Sequence, residues 1–299
     1  MKKIIIWLIV VILLAIGGYY LFGSLSNNRG VTTNVPSSEQ NTNATTTEDQ
    51  KNTKQTVIGK SVEGRDILAY HYGTGDTELL FVGGIHGGYE WNTALVAYQL
   101  IDYIKGNITV IPNNIKVTVI PVLNPDGLNK IVGTTTGNFT QSDAPSLNLT
   151  VPGRFNANNV DLNRNFDCDW QAIGKWQNKD VSGGGAAFSE PESLAIKNYI
   201  ETNKPKAVVV WYSAANGVFA SSCHNGVSVE TNLLTKTYAE ASGYPAYQSF
   251  DFYAITGDMV NWLAKINVPA ISVLLTNHTD TEWSKNQKGF EALLKYYSK

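Results

Sequence analysis

Four runs in this chain are apolar on both faces: FVGG at residues 81–84, VTVIPVL at 117–123, AVVVWY at 207–212 and AISVLL at 270–275. A strand with one face in water alternates polar and apolar residues, because successive side chains point to opposite sides of the sheet. Runs without that alternation, separated by segments of helical period, require a sheet covered on both sides. The expected fold class is therefore α/β, with a mixed, mostly parallel central sheet and helices on both faces. Strands are expected at 66–72, 78–82, 115–123, 207–212 and 270–275, and helices at 91–104, 190–201, 230–241, 258–265 and 282–297. Ligands of such open sheets bind beyond the C-terminal ends of the strands, so the residues that follow these runs are where chemistry is expected.

Two stretches ahead of the first strand cannot join that core. Residues 4–22 form an unbroken apolar run, and at about 1.5 Å per residue it is long enough to cross a bilayer core. Lys2 and Lys3 precede it and no basic residue follows until Arg29, which places the N-terminus in the cytoplasm and the rest of the chain outside the membrane. A cleaved signal peptide, giving a secreted protein, is the competing reading, but the run is long for one and lacks an A-x-A-like site before Ser24. Residues 24–55 are Ser, Thr, Asn, Gln and Glu with almost no large apolar side chains, as expected of a flexible stalk. The expected organisation is an anchor at 1–23, a stalk at 24–55 and one globular ectodomain at 56–299, a length that one layered core can fill. A formal net charge of −2 makes no electrostatic case for nucleic acid as a partner. Cys168 and Cys223 are expected to pair, because disulfides persist outside the membrane. His224 adjoins Cys223, but a metal site there would need two further ligands.

The polar residues cluster where the strands end. After the expected strand at 78–82 comes Gly83-Gly84-Ile85-His86-Gly87-Gly88-Tyr89-Glu90, a glycine-rich turn with an imidazole and a carboxylate at the start of a helix. Alone, the pair also reads as a loop histidine beside a helix-capping glutamate. Asn124-Pro125-Asp126-Gly127 follows the next run, and RFNANNVDLNRNF spans 154–166. Its density of Asn, Asp and Arg suits the wall of a polar site better than a core, since each unpaired buried polar group costs about 1–3 kcal/mol.

Taken in order, these segments resemble the carboxypeptidase A family of zinc metallocarboxypeptidases over nearly the whole ectodomain. GIHG, NPDG, VDLNRNF, the helix start FSEPES (188–193) and YAITGDMVNW (253–262) each look like a family signature. The resemblance implies that His86 and Glu90 are zinc ligands and that Asp161 hydrogen-bonds the second nitrogen of His86. It also implies that Asn163 and Arg164 receive the C-terminal carboxylate of a peptide, that Arg154 polarises the scissile carbonyl, and that Tyr253 closes over the bound end. Arginine suits a carboxylate because its planar fork donates two charge-assisted hydrogen bonds. Val260 falls in the stretch that shapes side-chain choice in the family and hints at a neutral pocket.

Three positions depart from the family pattern. His86 and Glu90 have three residues between them where the family has two. Tyr212 stands where the third zinc ligand, a histidine, belongs, and phenol is a poor ligand at neutral pH. Leu274 stands at the position of the general base, and leucine accepts no proton. Asp280 and Glu282 are the nearest carboxylates in sequence to Leu274, and His224 and His278 are the histidines left to stand in as ligands. The expected function is binding of peptide C-termini, or of cell-wall peptide stems, with hydrolysis lost or strongly reduced and zinc bound weakly or not at all. An active zinc carboxypeptidase with a substituted ligand and base is the alternative, and an ectodomain whose pocket is a relic is a third.

Overall fold

The computed structural model describes residues 53–299. The expected membrane segment and residues 24–52 of the expected stalk lie outside them. Among the described residues no helix is long and apolar enough to cross a membrane. Residues 53–55, expected in the stalk, already belong to the first strand, β1 (Thr53–Lys60), so the domain starts earlier than its polar composition suggests.

Eight strands form one sheet. β1 pairs with β2 (Asp66–Tyr72), followed across the sheet by β4 (Ile115–Ile120), β3 (Thr77–Val82), β7 (Ala207–Ser213), β10 (Ala270–Leu275), β8 (Gly217–Ala220) and β9 (Ala246–Tyr247). The four central strands β4, β3, β7 and β10 run parallel, β1 and β2 are antiparallel at one edge, and β8 reverses against β10 at the other. A separate hairpin, β5 (Ile173–Trp176) and β6 (Lys179–Ser182), stands apart from this sheet. The main helices are α1 (Trp91–Gly106), α2 (Pro125–Val132), α3 (Pro191–Asn203), α4 (Val229–Ser242), α5 (Met259–Lys265) and α6 (Trp283–Tyr297).

The doubly apolar runs bury both their faces, as their composition requires. On β7, Ala207, Val209 and Trp211 face one core, with Leu100 of α1, Leu234 of α4 and Phe290 of α6. Val208, Val210 and Tyr212 face the other, with Ile196 of α3 and Leu263 of α5. The sheet is thus covered on both sides.

Local chemistry sets the helix ends near the site. Asn124 caps α2 by accepting the Gly127 N–H, Pro125 occupies its first turn, and Gly133 closes it in the left-handed conformation. Gly87 is required by its place in the turn after β3, where φ is +43° and a Cβ would lie 2.7 Å from the Gly153 carbonyl. The two cysteines are bonded and tie the segment after Arg164 to the segment after β8. Their sulfurs gather within 4.8 Å of a His224 nitrogen. With both sulfurs in the disulfide this is no metal site, and His224 is exposed beside Asp169 at 3.1 Å.

Candidate functional site

Parallel strands deliver their C-terminal ends to one rim, and a cavity of about 680 Å³ opens there. His86 and Glu90 from the turn after β3, Tyr212 of β7, Leu274 of β10, and Arg154, Asn163 and Arg164 from the long polar loop all line it. Leu274 and Tyr212 are direct partners in the β10–β7 register. The His86 and Tyr212 rings lie 5.7 Å apart. Both substituted positions therefore share one cavity with the imidazole and the carboxylate.

Glu90 occupies the N-cap of α1 but makes no side-chain capping bond. Its Oε1 lies 2.9 Å from His86 Nδ1, so the extra residue between the two does not stop them converging. Asp161 lies behind the ring, with Oδ1 3.3 Å from Nε2 but without the alignment of a hydrogen bond. Both nitrogens of His86 and Oε2 of Glu90 are buried with no hydrogen-bond partner. Such a set of orphaned polar atoms is what a bound cation would satisfy.

The third donor does not complete that set. Tyr212 donates its hydroxyl to Asn163 Oδ1 at 3.1 Å, away from the histidine. Burial, and next the nearby Asp258 carboxylate, push its phenol well above the usual range, so it is not a phenolate. A catalytic zinc ion normally has three protein ligands, and the residues that converge here supply two. His278, on the loop after β10, lines the same cavity with its ring centroid 4.7 Å from that of Tyr89. Burial lowers its pKa and keeps it neutral, and Nδ1 has no partner. Among the described residues, however, no trio of metal-binding side chains gathers within 4.8 Å around His86.

Among the described residues, the two carboxylates nearest Leu274 in sequence are engaged elsewhere. Glu282 is bound to Thr276, Tyr244 and Lys285, and Asp280 to Asn277. Neither lines the cavity, whose carboxylates are Glu90 and Asp258.

The arginines are more constrained than their expected roles require. Arg154 is 2% exposed and donates Nε and Nη2 to Asp161 Oδ2 at 2.9 and 2.8 Å. Its guanidinium lies 4.6 Å from the Trp176 ring and 5.7 Å from that of Tyr89. Burial alone would raise the Asp161 carboxyl, but the charges of Arg154 and His86 outweigh it and hold it well below the usual range. Arg154 is thus first the counter-ion of a fully buried carboxylate. Arg164 donates to the Lys175 carbonyl from Nε and Nη2 and to the Asn163 carbonyl from Nη1. Three of its five N–H groups are used, which leaves two. Asn163 Oδ1 accepts from Tyr212 and from the Met259 N–H, which leaves its amide N–H groups for a ligand. Tyr253 is half-buried, with its ring 5.9 Å from the Arg164 guanidinium.

Two residues of the cavity wall escaped the sequence reading. Trp176 sits at the end of β5, and its only sequence signal was the short alternation IGKW. Asp258 caps α5 through Oδ2, accepting the Asn261 N–H at 3.4 Å, while Oδ1 is buried and unpartnered. Asp258 lines the same cavity as Val260. Burial raises the Asp258 carboxyl to about 6, with Arg164 opposing. An unfolded aspartate releases its proton near pH ~4, so between ~4 and about 6 the folded chain binds more protons than the unfolded one. Stability from this group is complete below ~4 and is lost as pH rises through about 6. Relative to wild type, Asp258→Asn is expected to gain stability across that window and level off above it. Urea midpoints that differ by a constant at every pH would contradict this.

Residues 39–290 match the zinc carboxypeptidase family. Carboxypeptidase Z of Gallus gallus is 30% identical over 192 residues, covering 58% of this chain and 27% of that protein. The chain spans about half or less of the length of the curated relatives it matches. Among solved structures, the carboxypeptidase A from Helicoverpa armigera superposes with a TM-score of 0.64 at 22% identity, over 84% of this chain and 68% of the other. The murein-tripeptide amidase from Escherichia coli O157 does so with a TM-score of 0.54 at 18% identity, over 81% and 91%. At these identities the two structures speak to the fold alone.

Proposed function

Because this chain belongs to the zinc carboxypeptidase family, we propose that it binds peptides by their C-terminal carboxylate and that its hydrolytic activity is lost or strongly reduced. The observation that carries the reading is the register pair Tyr212 and Leu274 on the cavity wall beside His86 and Glu90, with Asn163 and Arg164 on the same cavity. A phenol and an aliphatic chain stand where a metal donor and a proton acceptor are needed. The amide of Asn163 and the two remaining N–H groups of Arg164 still offer a carboxylate its hydrogen bonds. Tyr253 covers the bound end.

Zinc, if it binds, is held by His86 and Glu90, and with two donors it is held weakly. Localisation outside the membrane is part of the proposal, supported by the apolar run at 4–22 after Lys2 and Lys3 and by the bonded cysteines. Cell-wall peptide stems are one source of such ligands.

Isothermal titration of the full-length protein with one peptide, as free acid and as amide, is the test. The free acid is expected to bind at least tenfold more tightly, and equal affinity would remove the proposal. A second reading, retained activity with a substituted ligand, is favoured by His278 alone, because it is the remaining imidazole in the cavity. It requires near-stoichiometric zinc in the purified protein and its loss in His278→Ala, and wild-type protein without zinc would end it.

A further inference from the structure

We propose that Cys168, Cys223, His224 and Asp169 form a redox-gated site for a thiophilic divalent cation such as zinc, closed while the cysteines are bonded to each other and open once a reductant has parted them. None of the four lines the cavity that holds His86 and Glu90.

A ring nitrogen of His224 lies within 4.8 Å of both cysteine sulfurs, and its Nε2 is 3.1 Å from Asp169 Oδ1. Asp169 Oδ2 is in turn 3.9 Å from Cys168 Sγ. Tetrahedral zinc, with sulfur at about 2.3 Å and nitrogen or oxygen at about 2.0 Å, sets its donors roughly 3.3–3.8 Å from one another. The spacing of the other donors is therefore near what the ion needs, and the sulfurs alone are held too close by their covalent bond. Each cysteine is followed directly by one of the remaining donors, and Asp169 and His224 both hold the left-handed backbone, at φ +54° and +63°. Few non-glycine residues adopt that conformation. A disulfide needs neither group beside it, and an exposed pair of this kind stabilises a fold little.

Opening the site is a thiol–disulfide exchange. The thiolate of a dithiol reductant attacks one cysteine sulfur, its second thiol releases the mixed disulfide, and the products are two cysteine thiols and the oxidised reductant. The cation then displaces one proton from each cysteine and is held by two thiolates, the imidazole and the carboxylate. A set with two thiolates favours zinc over magnesium or calcium. In either state the segment after Arg164 stays tied to the segment after β8, by the covalent bond or by the ion. The Cys168 carbonyl accepts the Gly257 N–H at 2.7 Å, and Ser222, next to Cys223, donates its N–H to Asn261 Oδ1 at 3.0 Å. The tie thus stands behind the stretch that carries Asp258.

The test uses the full-length protein with cobalt(II) as the probe, because a cobalt–thiolate bond gives a charge-transfer absorption that cobalt held by His86 and Glu90 cannot produce. No such band is expected while the disulfide is intact. After reduction by a phosphine, which becomes the phosphine oxide and is removed before cobalt is added, a band is expected that saturates at one equivalent and is abolished by zinc. His224→Ala and Asp169→Asn, both at exposed positions, are each expected to weaken cobalt binding by about tenfold or more. A reduced protein that keeps its circular dichroism and shows no band would overturn the proposal, as would one that unfolds on reduction and is not restored by cobalt or zinc. A disulfide that the phosphine cannot open in the folded protein would overturn the gating. Unchanged affinity in both variants would mean that the two thiolates alone chelate the ion, and would overturn the assignment of His224 and Asp169.

Discussion

Arg154→Ala is expected to cost about 3–5 kcal/mol of unfolding free energy, because it strands a charge that has no access to water. Asp161 is completely buried, and Arg154 supplies both of the hydrogen bonds to its Oδ2. The same substitution removes the guanidinium from between Trp176 and Tyr89, so packing is lost along with charge. Asp161 is left with the His86 ring and the Asn163 N–H as its remaining partners. For a domain of this size the loss corresponds to roughly 6–20 °C in unfolding midpoint. Arg154→Lys is expected to fall between the two, since a lysine keeps the charge but has no fork to donate twice in one plane. Urea denaturation of the three proteins measures the effect. A loss below about 1 kcal/mol for the alanine variant would mean that Asp161 is not ionised in the folded protein, and that the ion pair is not what holds this wall of the cavity.

The double substitution Tyr212→His with Leu274→Glu is expected to raise release of C-terminal residues by about 10²–10⁴-fold over the wild type, the range that a positioned general base contributes. The two positions are paired on adjacent parallel strands, and both side chains reach the cavity that holds His86 and Glu90. Tyr212→His replaces a phenol held neutral by burial with an imidazole, and it frees Asn163 Oδ1 from the tyrosine hydroxyl. Leu274→Glu alone is expected to do little for activity and to cost stability, because it buries a carboxylate beside Glu90 and Asp258 with no added cation. Tyr212→His alone adds a donor but no base. Groups that act on one reacting centre are strongly non-additive, so the rise is expected only in the double variant. Zinc content measured beside activity shows whether the added imidazole completes the donor set. Activity and zinc content both unchanged in a folded double variant would show that the missing groups do not belong at these positions.

The architecture was legible because burial on both faces leaves a plain trace in sequence. β3, β7 and β10 read as continuous apolar runs, and the structure places alternate residues of β7 in the two opposite cores. The first three residues of β1 read as stalk, and the strand itself goes unseen, because it is an edge strand paired on one side, with Val57 52% exposed, so its sequence TKQTVIGK carries little apolar signal. The short strands β5, β6, β8 and β9 are two to four residues long, too short for any period to show. The positions around the site were legible for a related reason: the GIHG and NPDG motifs follow the buried strands β3 and β4, and parallel strands bring their C-terminal ends to one rim.

What the sequence determined by itself is which residues arrive at that rim: an imidazole and a carboxylate on a glycine turn, an Asn-Arg pair, a tyrosine and a leucine. What only the tertiary structure decided is how their polar atoms are spent. Arg154 is committed to Asp161, Arg164 largely to the Lys175 carbonyl, His278 enters the cavity while His224 stays outside, and Asp258 keeps one oxygen for neither. Residue identity sets which hydrogen bonds and charges are available. Their partners lie on segments far apart in the chain, so the pairing is settled by packing, and whatever packing leaves unpaired is what remains to meet a ligand.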